Sequence, residues 1–346
     1  MSKVRIVNWL LTRKCNLNCD YCAIVKDYKG KPNTYPDMKH YIKYEMSAEY
    51  VIKVLKLLKE HNPDVFNIFY GGEPLLRKDL SDIINFCNEN DIHYTIISNN
   101  TPAVRELIKQ LTDKVDYIQG FTASIDPVLT QEKSNLDRVI KSQEGFESLL
   151  NMKGFVKDVV AEITVMKENV NLLYSLVSLL SSTGINSDIT FIDIAKSPYY
   201  DFSNIYDPDL LVTKKDAELE MHKLLNSNFN IHMKDKLLPE IFDTLPSNMD
   251  CEIEKGLHNI SIDADGTLRL CLRVRGVNVP NVYAEQLFQR NLNGDVIISP
   301  FVHKMINEDK KAYCKRCNHT CQLMSKLIDN EDSGSEELIH KDIREG

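Results

Sequence analysis

Short apolar runs alternate with longer amphipathic stretches through roughly the first 200 residues. Residues 4–11 read as a strand, with Thr12, Arg13 and Lys14 as the turn out of it. Residues 27–44 are polar and read as an irregular insertion. Ser47 is placed as the N-cap of a helix running to residue 60, where Val51, Val54, Leu55 and Leu58 keep helical spacing. The pattern then predicts a strand over 65–70, a helix over 79–88, a strand over 94–98, and a helix from Pro102 to residue 111. Further strands are expected over 117–126, 159–166 and 188–196, with helices over 135–151 and 172–182, the last stopped by Gly184. Thr122, Ser124 and Asp126 fall on one strand face, as do Glu162 and Thr164. Six or seven βα units in series argue for a parallel sheet. Periodicity does not distinguish an open barrel from a doubly wound sheet.

The alternation stops near residue 200. Residues 201–248 read as a linker with a helix over 216–226, whose His222 reads as a surface or core side chain. Two alternating runs joined through Asp265-Gly266 then predict a β-hairpin. A calcium loop on Asp263 and Asp265 is the competing reading, but the later ligand positions of such a loop are absent. Beyond an irregular stretch, a Cys-rich segment spans 314–321, and residues 329–346 form a polar, acid-rich tail.

A chain of 346 residues has room for about two domains and an ample core. The net charge is −8 with no basic stripe, which argues against binding a nucleic-acid polymer. No signal peptide and no run long enough to cross a bilayer is visible, so a cytoplasmic protein is expected. Nine cysteines, mostly clustered, favour metal thiolates over a disulfide framework.

The densest chemistry lies in Cys15-Asn-Leu-Asn-Cys19-Asp-Tyr21-Cys22, directly after the first strand. Three thiols at this spacing can converge on one metal centre, and suit zinc or an iron–sulfur cluster. A [4Fe–4S] cube held by three thiolates leaves one iron open, whereas a zinc knuckle would need a distant fourth ligand. Gly71-Gly72-Glu73-Pro74 ends the second strand. The two glycines allow close backbone approach to a ligand, and Glu73 offers an acceptor for an ammonium. An ordinary strand-to-helix turn would also account for it. Cys87 reads as a small buried hydrophobe.

Spacing, preceding strand and Tyr21 together resemble the signature of the radical S-adenosylmethionine (SAM) enzymes. The resemblance implies a partial (β/α)6 barrel over roughly residues 4–196, an α/β fold. It implies that Cys15, Cys19 and Cys22 hold the catalytic [4Fe–4S] cluster, whose open iron binds SAM. Reduction would then release a 5′-deoxyadenosyl radical that abstracts hydrogen from substrate. Gly71, Gly72 and Glu73 match the motif that holds the SAM amino group. Ser98 and Asn99 fall at the next strand end, among the expected cofactor contacts. Ser124 fits a Ser that binds the SAM carboxylate with a following Arg, and Arg138 is the nearest, at a slightly long spacing. The adenine motif of some members is not visible, and Val165 and Met166 lie where such contacts would fall. Reduction would come from a flavodoxin or ferredoxin.

The later cysteines resemble a Twitch domain, the shortened relative of SPASM, which carries an auxiliary cluster. The implied organisation is a core over 1–200, a linker over 201–248, a small hairpin-and-helix iron–sulfur domain over 249–328, and a tail over 329–346. Cys251, Cys271, Cys314 and Cys317 are the implied ligands of a second [4Fe–4S] cluster, with Cys321 spare. A structural zinc ribbon competes. On the strand expected over 267–275, Arg269, Arg273 and Arg275 share the face of Cys271, which suits an anionic substrate group or a solvated surface. Two function classes follow. One is an enzyme that oxidises, epimerises or crosslinks a small molecule or peptide; the other is a degenerate iron–sulfur or zinc protein that binds SAM or a partner without turnover. The complete cysteine triad and the Gly-Gly-Glu-Pro turn favour the enzyme, although no catalytic side chain is assigned. Only fourteen residues precede Cys15, so a preceding leader-recognition domain is not expected, which tilts the substrate toward a small molecule or a separately delivered peptide.

Overall fold

A computed structural model describes residues 4–17, 45–125, 146–191, 212–232, 259–269 and 278–304. Six parallel strands run in chain order across a sheet: β1 Ile6–Thr12, β2 Phe66–Gly71, β3 His93–Ser98, β4 Ile118–Ser124, β5 Val156–Val165 and β6 Asn186–Phe191. The intervening helices include α1 Ala48–His61, α2 Leu80–Glu89, α3 Pro102–Thr112 and α4 Leu173–Ser182. This is the α/β arrangement expected of the partial barrel, with every strand pointing its carboxyl end the same way.

Two periodicities build the core. On α1, Val51, Val54, Leu55 and Leu58 are buried, and the Ser47 side chain accepts from the Tyr50 amide as the cap. Burying each such side chain contributes about 1.5–3 kcal/mol, which outweighs the weak intrinsic stability of a short helix. On β5, Val159, Ala161, Ile163 and Val165 face the helical layer, and Glu162 and Thr164 alternate onto the other face. Trp9, Phe69 and Tyr94 form a buried ring stack across β1, β2 and β3, with centroids 6.3 and 5.7 Å apart. The Trp9 indole donates to Asn67 Oδ1 at 2.9 Å, so this core leaves its polar atom satisfied.

Four features depart from the sequence expectation. β5 begins at Val156, three residues early, because the charged Lys157 and Asp158 mask the alternation there. The helix expected within a linker, α5 Lys214–Leu225, is a packed element: Ala217, Met221 and Leu224 are buried, and Glu220 accepts from the Tyr174 amide at the start of α4. Beyond it, Asn230 and His232 exchange backbone bonds with Ser187 on the edge of β6. The stretch read as irregular holds β9 Asn278–Tyr283 and a short hairpin, β10 Phe288–Arg290 and β11 Val296–Ile298, whose three-residue strands are too short to register as a period. The predicted hairpin is present as β7 Asn259–Ile262 and β8 Thr267–Arg269, and β7 runs parallel beside β1, pairing Val7 with Ile260 and Trp9 with Ile262. Among the described residues one sheet of nine strands therefore runs from the barrel into the hairpin. Residues 270–277, with Cys271, Arg273 and Arg275, lie outside the description. No described helix is long and apolar enough to cross a membrane.

A buried guanidinium locks the carboxyl end of β1 to the helical layer. Arg77 donates to Leu11 O and to Met46 O, both at 2.8 Å, and forks onto Asp79, whose other contact is the Ala48 amide at 3.0 Å. Burial pushes the Asp79 carboxyl up, but the Arg77 hydrogen bonds and charge outweigh it and hold the group below its ordinary range. A carboxyl depressed in the folded state adds stability above its unfolded value, and that stability is lost as pH falls through the folded value. Chemical denaturation should therefore rank wild type above Asp79→Asn at neutral pH, with the gap narrowing below about pH 4. A gap that stays constant down to pH 2 contradicts this role.

Candidate functional site

The site forms where β1, β2 and β3 end together. β1 leads into Thr12, Arg13 and Lys14 and then Cys15, whose thiol is half-buried. The β2 turn packs on this exit backbone to backbone: Gly72 N donates to Thr12 O and Glu73 N to Lys14 O, both at 2.8 Å. A Cβ on Gly71 would lie 2.3 Å from Thr12 O, and one on Gly72 would lie 2.2 Å from Lys14 O. The glycine pair is thus required by the approach of the cysteine loop itself, rather than by a ligand alone.

Residues distant in sequence brace the same exit. Glu45 Oε1 accepts from Thr12 Oγ1 at 2.7 Å and from the Arg13 amide at 3.2 Å, and its Oε2 pairs with Lys14 at 3.3 Å. Arg13 points inward and meets both oxygens of Asp263, at 2.6 and 2.7 Å, in the β7–β8 turn. Both side chains are buried, and stranding either charge costs about 3–5 kcal/mol. This pair also excludes the calcium reading, because the Asp263 carboxylate serves Arg13 and Asp265 Oδ1 accepts from Thr267 N and Oγ1.

Glu73 departs most from a simple ligand contact. Its side chain is 0% exposed. Oε1 accepts from the Leu75 amide at 3.1 Å, and Oε2 accepts from Ser98 Oγ at 3.1 Å and the Asn99 amide at 2.9 Å. Burial pushes this carboxyl above its ordinary range, and the three donors oppose the shift. Asn99 sits above it. Its Nδ2 donates to Asn16 Oδ1 at 2.8 Å and to Cys15 Sγ at 3.7 Å, and the Leu17 amide reaches the same sulfur at 3.4 Å. Asn100 takes a left-handed φ of 49°, which Asn tolerates, and Ser148 Oγ holds its side chain at 3.1 Å.

Ser124 is half-buried at the end of β4, in register with Glu162 on β5, which in turn pairs with Asp188 on β6. Burial pushes the Asp188 carboxyl up, and nearby His232 opposes it. Neither Asp188 nor His232 carried a motif that sequence reading could use. Val165 and Met166, expected near an adenine, are both buried, Val165 within the hydrophobic core. Cys87 is fully buried on α2, as expected, and burial pushes its thiol up. Cys19, Tyr21, Cys22, Arg138, Cys251, Cys271, Cys314, Cys317 and Cys321 lie outside the described residues. Among the described residues no three metal-binding side chains converge, since two of the three loop cysteines are not among them.

Residues 9–179 match the family described as Radical SAM superfamily. This segment is a radical SAM domain. A probable GTP 3′,8-cyclase of Sulfolobus acidocaldarius is 23% identical over 268 residues, covering 76% of this chain and 79% of the relative. SuiB of Streptococcus suis, solved bound to precursor peptide SuiA, has a TM-score of 0.54 at 14% identity. That match covers 82% of this chain but only 62% of SuiB, so this chain spans less than two thirds of it. The structure of anSMEcpe with bound AdoMet gives a TM-score of 0.52 at 14% identity, covering 98% of both chains. These structural likenesses establish the shared fold.

The family implies a [4Fe–4S] cluster and SAM, and the described part of the site fits them. Cys15 Sγ is turned to receive two N–H donors, an environment suited to a thiolate ligand. Gly72→Ala tests the packing beneath it. The added Cβ forces the β2 turn off the loop and breaks two backbone bonds, each worth about 1 kcal/mol net. Urea unfolding should show a loss of about 2 kcal/mol or more, with reduced iron retention after reconstitution. Unchanged stability and iron content would contradict the packing.

Proposed function

We propose that this chain is a radical SAM enzyme that abstracts hydrogen from a small molecule or a peptide. The observation that carries the reading is the placement of Cys15 at the carboxyl rim, against Gly72, Glu73 and Asn99, within the segment that matches the family. Cys15, Cys19 and Cys22 would hold the catalytic cluster. Cys251, Cys271, Cys314 and Cys317 would hold an auxiliary [4Fe–4S] cluster that serves as an electron conduit, its four protein ligands closing it to substrate. When bound, the catalytic cluster and SAM supply reductive cleavage of SAM and hydrogen abstraction by the 5′-deoxyadenosyl radical.

The chain's own residues orient these groups. The Gly71–Gly72 turn fixes where the loop leaves β1, and so where Cys15 Sγ stands. Ser124, with Arg138, would hold the SAM carboxylate. Substrate would lie over the half-open strand face carrying Ser124, Glu162 and Asp188. A GTP cyclase and a peptide-bound SuiB among the similar proteins support both substrate classes. A flavodoxin or ferredoxin would supply the electron. Oxidation, epimerisation and crosslinking are the outcomes that suit an electron conduit beside the radical site.

Reconstituted protein under anaerobic dithionite should contain about eight irons and release 5′-deoxyadenosine from SAM. Replacing Cys15, Cys19 and Cys22 together by Ala should leave about four irons and no 5′-deoxyadenosine. Cleavage that survives the triple change, or is absent from the loaded wild type, overturns the enzyme reading. Zinc in place of the second cluster removes the conduit.

A further inference from the structure

We propose that Asn99 sets the electron affinity of the cluster at the cysteine loop by donating to the Cys15 sulfur, and that Glu73 is a positioning residue holding Asn99 there rather than a contact to the SAM ammonium. The inference rests on the reading that Cys15 ligates that cluster.

The direction of the Asn99 amide is fixed by its neighbours. Oδ1 accepts from the Thr101 amide at 3.2 Å, while Nδ2 faces Asn16 Oδ1 and Cys15 Sγ. A flipped amide would set Oδ1 against both an oxygen and a sulfur, and would aim Nδ2 at an N–H. Asn16 is tied down in turn, because its Nδ2 donates to Thr101 Oγ1 at 2.8 Å. An N–H aimed at a ligating sulfur stabilises the more negative, reduced cluster and raises its potential.

Glu73 governs that aim from below. Its fully buried carboxylate gathers the Leu75 amide of its own turn, the Ser98 hydroxyl and the Asn99 amide. It therefore joins the β2 turn, which packs on the cysteine loop, to the β3 end, which carries Asn99. Ser98 Oγ continues the chain by accepting from the Asn100 amide at 3.2 Å. An ammonium contact would need a carboxylate face open to the rim, and this side chain is 0% exposed with both oxygens engaged.

Potentiometric titration followed by EPR, on the reconstituted full chain without SAM, reads the first half. Asn99→Ala should raise the oxidised-to-reduced ratio at fixed potential about tenfold, about 59 mV for a one-electron couple. Asn99→Asp retains an acceptor for Thr101 but no donor, and should shift the same way. Binding of SAM against an analogue lacking the amino group reads the second half. Glu73→Gln should lower the potential yet keep the wild-type affinity ratio between the two ligands. Ser98→Ala serves if Glu73→Gln does not fold, with a smaller shift in the same direction and the same ratio. A loaded Asn99→Ala protein with an unchanged midpoint overturns the inference alone. So does a ligand ratio that collapses toward unity in Glu73→Gln, or in Ser98→Ala where that stands in. A wild type that binds no iron–sulfur cluster overturns the function reading and the inference with it.

Discussion

Two backbones meet at the rim with no room for a side chain between them. Gly71 and Gly72 lie so close to Thr12 and Lys14 that a single Cβ on either would enter a carbonyl oxygen. That approach determines how the chain leaves β1, and the cysteine loop begins one residue later. The hydrogen bonds from Gly72 and Glu73 then make β2 the template for the loop's first residues. The parallel sheet beneath is what brings these two strand ends level, through the pairing of Thr12 with Gly71.

The remaining polar groups at the rim act as braces around this contact. Glu45 holds the turn from one side, Asp263 from another through Arg13, and Arg77 from beneath through Leu11 O. Each is buried or half-buried, and each is paired, as the cost of an unpaired charge away from water demands. Their common effect is a braced exit from β1, which holds the Cys15 sulfur in one place. The Arg13–Asp263 pair also couples the cysteine loop to the hairpin that opens the C-terminal region. Loosening the hairpin should therefore be felt at the loop.

Local signals were legible in the sequence. Ser47 as a cap, Pro102 at a helix start, Gly184 at a helix end and the Asp265-Gly266 turn each act on the backbone within a few residues, and each stands where expected. Long-range pairings were not legible. Nothing near Arg13 indicates a partner 250 positions later, and nothing near Thr12 indicates Glu45. Glu73 illustrates the same limit: its motif marks the place, but its three donors, two of them Ser98 and Asn99 at the end of β3, decide what the carboxylate faces. The first three residues of β5 and the β10–β11 hairpin are not legible because charged or few residues carry too little period. The helix over 216–226 is legible, but its packing is not, because its weakly apolar stripe says nothing of Tyr174, whose amide donates to Glu220.

The central claim is that this rim presents a three-thiolate cluster with one coordination position open to SAM. EPR of the dithionite-reduced, reconstituted protein, recorded with and without SAM, tests it most directly. The account predicts that the signal of one cluster changes on adding SAM and that the change is lost when Cys15 is replaced by Ala. A spectrum identical with and without SAM, in protein fully loaded with iron and sulfide, would contradict it.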